Sequence, residues 1–305
     1  MKKPVVAILM GSYNGARFIQ KQIDSILNQK EVDVHFYISD DGSSDSTLDI
    51  INEYFKNYPD QFKKLFQVQF KSPARNFLSI FPKITQDYDY YAFSDQDDVW
   101  VEDKLQTAIK KINEGYALYC GRTEYTNNNL QSYSYSSLFS FPPSFKNAIV
   151  QSIAGGNTMV FNQEVFNLLK DSFNYEVPMH DWWTYLLTTF AGHQVYYDPI
   201  PKVFYRQHSN NFNGSNLGII NQLERLFYGL SGRYRHWNNL NEKNLMEYLD
   251  FGTRENLKVF NQFQFLRKKT NFMNFNLNYI NRTGIYRQTS LGNLMLKISI
   301  LLKRA

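Results

Sequence analysis

Short apolar runs separated by amphipathic stretches set the rhythm of the first 115 residues. Val5–Met10 is a continuous apolar run, as a strand buried on both faces requires. The stretch ARFIQKQIDSILNQ follows, in which Phe18, Ile19, Gln22, Ile23, Ile26 and Leu27 recur at helical spacing. A second run, Val34–Ser39, leads into DDGSSDSTLDIINEYF, where Asp45 or Ser46 can cap a helix that turns Leu48, Ile51 and Phe55 inward. The pattern predicts a third strand over 65–70, a helix over 76–86 and a fourth strand at Tyr90–Phe93. Strands alternating with helices imply an α/β domain with a mostly parallel sheet flanked by helices. In such sheets ligands bind beyond the carboxyl ends of the strands. The polar segments GSYNG, DDGSSD, KSPARN and SDQDD follow the four strands in turn, so all four fall on one rim.

Beyond residue 115 the pattern predicts a strand at Ala117–Cys120, a polar loop TEYTNNNLQSYSYSS, and a turn into a strand at AGGNTMVFN. Helices are expected from about Gln163 and through PMHDWWTYLLTTFAG, then a last strand in HQVYYDPIPKVFYRQHSNN that opens into a loop. From residue 216 helical patterns dominate. The chain therefore divides into a catalytic-type α/β domain over 1–215 and a helical extension over 216–305.

Charge sharpens that division. Of 33 Lys and Arg residues, nine follow Glu255, and no acidic residue does; residues 1–255 carry 24 basic against 28 acidic groups, a net of −4, while the whole chain is +5. The basic end, LGNLMLKISILLKRA, spaces Leu291, Leu294, Met295, Ile298, Leu301 and Leu302 as an amphipathic helix suited to an anionic membrane surface. A terminal helix packed on the body or on a second subunit, as in a homodimer, would show the same pattern. Nucleic acid is not an expected partner, because the body offers no module that reads it. No apolar run reaches the ~20 residues that cross a bilayer, and Val5–Met10 is too short for a signal-peptide core. The single cysteine, Cys120, excludes internal disulfides and Cys-based zinc sites and fits a reducing, cytoplasmic setting.

The rim carries the candidate chemistry. Asp95, Asp97 and Asp98 crowd three carboxylates into four residues, which makes sense around a hard divalent cation, Mg²⁺ or Mn²⁺; the bland alternative is a solvated turn before the next helix. Asp41 can accept from the ring N–H of a uracil or thymine, and Tyr13 can stack on that ring. Arg75 suits a diphosphate or base contact, or is a surface cation. Asp181, behind His180 and before Trp182-Trp183, is either a helix cap or a general base beside an aromatic sugar platform. His208, beside Arg206, is a candidate metal or phosphate contact.

In order, ILMGSYNGARFIQKQIDSIL, YISDDGSSDST, AFSDQDDVW, GGNTMVF, HDWW and YRQHSNN resemble a bacterial family 2 glycosyltransferase of the GT-A fold, nearest the rhamnosyltransferase-type members that build cell-wall or capsular polysaccharide. The resemblance spans roughly residues 4–215. It implies a Rossmann-like GT-A sheet with a helical C-terminal extension, and metal-dependent, inverting transfer of a hexose, such as rhamnose from dTDP-rhamnose. The donor would be a dTDP- or UDP-sugar, and the acceptor a glycan or lipid-linked glycan at the inner face of the membrane. Carried over by position, Ser12, Tyr13 and Asp41 would hold the base with Arg75 nearby. Asp95 would lie near the ribose and metal, Asp97 and His208 would bind the metal, and Arg206 would meet the diphosphate. Gly155, Gly156, His180, Trp182 and Trp183 would line the sugar and acceptor side, with Asp181 as base. Many members have Glu-Asp where this chain has His180-Asp181. The alternatives are a sugar-nucleotide nucleotidyltransferase, whose Gly-rich basic loop GSYNGARF fits poorly, and a non-catalytic nucleotide-sugar-binding subunit.

Overall fold

A computed structural model describes residues 2–207, 232–268 and 281–304. The central sheet holds β1 (Val5–Ser12), β2 (Asp33–Asp40), β3 (Phe62–Gln67), β4 (Tyr90–Ser94), β6 (Leu118–Gly121), β9 (Val160–Phe161) and β10 (Val195–Asp198). Its spatial order is β10-β6-β9-β4-β1-β2-β3. β3, β2, β1 and β4 run parallel, β9 is antiparallel to both β4 and β6, and β10 is parallel to β6. Since β9 opposes both of its neighbours, β4 and β6 point the same way. The carboxyl ends of β1, β2, β4 and β6 therefore share one rim.

Alternation along β1 explains the layers. Val6, Ile8 and Met10 face one apolar layer, built from α1 (Ile19–Leu27), α2 (Thr47–Asn57) and α4 (Lys104–Asn113). Ala7 and Leu9 face the other, built from α3 (Pro73–Leu78), α5 (Phe145–Ala148), α6 (Gln163–Leu169) and α7 (His180–Phe190). Ile19, Ile23 and Ile26 of α1 are fully buried, and each such side chain contributes about 1.5–3 kcal/mol of transfer free energy.

A second, four-stranded sheet, ordered β5-β11-β7-β8, grows from the same rim. It comprises β5 (Val99–Trp100), β7 (Glu124–Thr126), β8 (Ser132–Tyr135) and β11 (Val203–Arg206). Two sequence expectations change here. The polar stretch after Cys120 contains the β7–β8 hairpin rather than a loop alone, because its pairing is backbone-made and β8 exposes Ser and Tyr side chains that show no apolar alternation. HQVYYDPIPKVFYR is two strands in two sheets, broken at Pro199-Ile200-Pro201, where Asp198 accepts from the Ile200 N–H.

Two boundaries also move. β3 begins at Phe62, whose ring stacks on Phe36 at 4.5 Å, and ends at Gln67. α3 begins at Pro73 and ends at Leu78, with a 3₁₀ turn at Phe81–Lys83 in place of a helix to 86. Ser72 caps α3 by accepting from the Arg75 N–H, and Pro73 occupies the first turn, where a missing N–H costs nothing.

The extension supplies α8 (Arg233–Leu245), α9 (Arg254–Lys268) and α10 (Ser290–Leu301); the 215/216 boundary lies outside the described residues. Leu245, Phe260, Phe263, Leu296 and Ile300 from these helices join the same core cluster as Leu9 and Trp183. α10 thus docks one face on the body while Leu291, Leu294 and Leu302 stay exposed. Among the described residues no helix is long and apolar enough to cross a membrane.

Candidate active site

The rim loops are tied to one another by side chains acting on backbone. After β2, Asp40 is fully buried and accepts from Ser12 Oγ (2.8 Å), Ser43 Oγ (2.6 Å) and the Ser43 N–H (2.8 Å). Asp41 accepts from the N–H groups of Phe70, Lys71 and Ser72, which folds the segment after β3 onto the β2 loop. Gln96 clamps the β1 loop: its Oε1 accepts from the Tyr13 N–H and its Nε2 donates to the Tyr13 carbonyl, each at 2.8 Å. The clamp needs Gly15, where a Cβ would lie 2.1 Å from Gln96 Oε1. Held in this way, the Tyr13 ring stays 57% exposed, open to a flat partner.

The acidic loop after β4 divides its labour. Asp98 is fully buried and structural: it accepts from Asn157 Nδ2 at 2.5 Å and from the Arg206 N–H at 3.2 Å. Burial, then Asp97 and Asp95, raises its pKa far above the carboxylate range. Lys104 is buried nearby with its ammonium 3.3 Å from the centre of the Trp100 ring. Burial holds the Lys104 pKa well below the lysine range, while Asp98 works in the other direction. Asp95 and Asp97 are only partly buried.

Burial pushes Asp95 up to about 8, with Asp97 and then Asp181 adding charge repulsion. Asp181 is therefore within electrostatic reach of the acidic loop, although 86 residues separate it from Asp95 in sequence. It sits in the first turn of α7, whose cap is Met179, so its carboxylate is not the helix cap. Burial raises it to about 6, against hydrogen bonds from the Trp182 and Gly156 N–H groups that favour its ionised form. A carboxylate poised near neutrality suits a general base.

Asp95 and Asp97 offer hard oxygen donors. Among the described residues no group of three His, Cys, Asp or Glu side chains is placed to hold a metal ion alone. Two carboxylates match a cation that completes its shell with substrate phosphate oxygens and water. The donor set fits Mg²⁺ or Mn²⁺ on those terms.

A carboxylate pair thus lies beyond β4, an open aromatic beyond β1 and a recessed carboxylate at the start of α7. The profile described as Glycosyl transferase family 2 matches residues 7–177, more than half the chain. The chain belongs to glycosyltransferase family 2. It is 30% identical over 237 residues to the dTDP-rhamnosyl transferase RfbG of Shigella flexneri, covering 71% of this chain and 78% of that protein. Staphylococcus aureus TarS (residues 1–349, in complex with UDP) matches with TM-score 0.55 at 14% identity, over 98% of this chain and 88% of that one. The mannosyltransferase PcManGT from Pyrobaculum calidifontis, in complex with GDP-Man and Mn²⁺, matches with TM-score 0.52 at 13% identity, over 100% and 88%. At such identities these structures establish the GT-A fold, while the family match and the Shigella relative make the chain a rhamnosyltransferase-like glycosyltransferase.

Several expected contacts fall elsewhere in this glycosyltransferase. Trp182 and Trp183 are core residues, at 1% and 0% exposure. Their ring N–H groups donate to the Ala148 carbonyl and Ser172 Oγ, which leaves no sugar platform there. His180 is buried, stacked on Phe77 at 4.0 Å and edge-on to Phe93. Burial lowers its pKa to about 3, so it packs as a neutral ring. It meets Gly156 so closely that a Cβ there would lie 2.3 Å from its Nε2. Arg206, at 1% exposure, donates from Nε to the Asp97 carbonyl (2.9 Å) and from its guanidinium to the Asn128 carbonyl. It shapes the acidic loop instead of presenting its fork to a diphosphate. Ser12 spends its hydroxyl on Asp40.

Gly155 is exposed at the turn before β9, and Arg75 is exposed on α3 with its guanidinium 4.7 Å from the Phe70 ring centre. His208 lies outside the described residues. Sequence reasoning missed Gln96, Asn157, Asp40 and Lys104. Of these only Gln96 carried a signal, an amide set between two candidate ligands.

Proposed function

We propose that this glycosyltransferase moves a sugar, rhamnose from dTDP-rhamnose, with inversion onto a cell-wall or capsular glycan. The observation that carries the reading is the convergence of Asp95 and Asp97 with Asp181, whose charges raise the pKa of Asp95. Asp95 and Asp97 would hold the divalent cation, which supplies charge neutralisation for the departing diphosphate. The Tyr13 ring, on a loop set by Gln96, would stack on the nucleobase, and the exposed Arg75 would meet the base or the diphosphate. Asp41 would act chiefly by shaping the loop after β3, since three backbone N–H groups already engage it. Asp181 would take the acceptor hydroxyl proton, and Gly156 keeps the backbone close to it. Inversion needs only this one base, with no covalent intermediate on the enzyme.

The relative from Shigella, named for dTDP-rhamnosyl transfer, supports the donor. The exposed Leu291 and Leu294 of α10 and Leu302 just after it, with Lys303 and Arg304 following, support peripheral contact with an anionic membrane that carries a lipid-linked acceptor. The test is Asp181→Asn. Turnover of dTDP-rhamnose should fall by at least roughly 10²-fold, with the Mn²⁺-dependent thermal shift by that donor retained. Unchanged turnover would remove Asp181 as base, and stabilisation by UDP-sugars alone would correct the donor.

A further inference from the structure

With Trp182 and Trp183 in the core, exposed aromatics besides Tyr13 lie on the β7–β8 hairpin and the segment that follows it. Tyr133 and Tyr135 are 53% and 50% exposed, and Leu138 and Phe141 are likewise open. Tyr133 and Tyr135 stand two apart on β8, so both project from one face of the second sheet. From Tyr125 to Phe145 there is no charged residue, in a chain that is 20% charged; the rings are interleaved with Ser, Asn, Gln and Thr. A surface of aromatic faces and neutral hydrogen-bonding groups matches a ligand with apolar C–H faces and many hydroxyls. Within the segment itself no Lys or Arg stands ready for a phosphate or an anionic lipid.

The platform is held in place. Arg122 donates from Nε and Nη2 to the Ser136 carbonyl, and its guanidinium lies 5.3 Å from the centre of the Tyr135 ring. Tyr197 donates to the Ser137 carbonyl, and Gln288 pairs with both the N–H and the carbonyl of Phe141. A backbone fixed before binding loses little entropy when its side chains engage a ligand. The platform is also continuous with the catalytic rim. Only two residues separate β6 from β7, and Arg206 bridges the hairpin turn at Asn128 to the Asp97 backbone.

We propose that this hairpin is the acceptor subsite, binding the sugars of a neutral glycan chain behind the hydroxyl that reacts. The assignment rests on the glycosyltransferase reading above and deepens it.

The experiment places the full-length protein and Tyr133→Ala/Tyr135→Ala on an array of neutral and anionic bacterial polysaccharides. Donor binding is followed in parallel by thermal shift with dTDP-rhamnose and Mn²⁺. The expected result is neutral-glycan binding that falls roughly tenfold or more in the double variant, is kept by Tyr133→Phe/Tyr135→Phe, and leaves the donor shift unchanged. Equal binding by the alanine variant, binding only to anionic polysaccharides, no glycan binding at all, or a dimer-to-monomer change in the variant would overturn the proposal. Loss of every donor shift in the wild type would instead strike the catalytic reading.

Discussion

Asp95 gives the site a measurable liability. Its folded-state pKa lies near 8, against an ordinary 3.8, because the carboxyl is buried beside Asp97 and Asp181. The folded chain keeps a proton there that the unfolded chain gives up. Its contribution to stability is complete below about pH 3.8 and is lost as the pH climbs to about 8. At pH 7 the gap is about three units, an upper bound of about 4 kcal/mol at about 1.36 kcal/mol per unit. Partial solvent access and coupling to its neighbours bring the expected penalty to on the order of 2 kcal/mol. Asp95→Asn removes the ionisable group while keeping its shape. In EDTA, the variant should melt a few degrees above the wild type at pH 8 and close to it at pH 5. Mn²⁺ should raise the wild-type melting temperature most at pH 8 and leave the variant nearly unmoved. A variant that melts below the wild type at pH 8, or a gap that does not widen with pH, would refute the reasoning.

Other outcomes follow from the same contacts. Asn157→Ala strips the buried Asp98 carboxylate of its side-chain donor and should cost about 1–3 kcal/mol in urea unfolding; an unchanged midpoint would count against a structural Asp98. Gly156→Ala drives a Cβ into His180, so it should destabilise by about 1–3 kcal/mol and depress kcat more than donor KM. The rate profile in kcat/KM should rise with pH on an acid limb at or below about 6, set by Asp181, and Asp181→Asn should have no such limb.

The fold was legible where burial dictates the residues. β1, β2 and β4 are packed on both faces, so each reads as an apolar run ending in a polar loop, and those ends mark the rim. The hairpin was illegible for the opposite reason: β8 is an exposed edge whose Ser and Tyr residues carry no apolar period. α3 began earlier than expected although Ser72-Pro73 announced it, because Ala74 and Phe77 give too short an apolar pattern to register. At the site, Asp95, Asp97 and Asp181 could be singled out by spacing and position. Their supports could not: Asn157 meets Asp98 across 59 residues, a contact that only tertiary packing creates. The tryptophan pair misled because adjacency to a base suggests a platform, while helical geometry swings both indoles inward.

The Gln96 carboxamide grips Tyr13 only through main-chain atoms, so nothing in that grip depends on which side chain position 13 bears. On the proposed function, exchanging the tyrosine for another ring would keep that grip and change the face offered to a nucleobase. Recognition of the base would thereby be separated from the integrity of the scaffold, and a single codon would suffice to retune it.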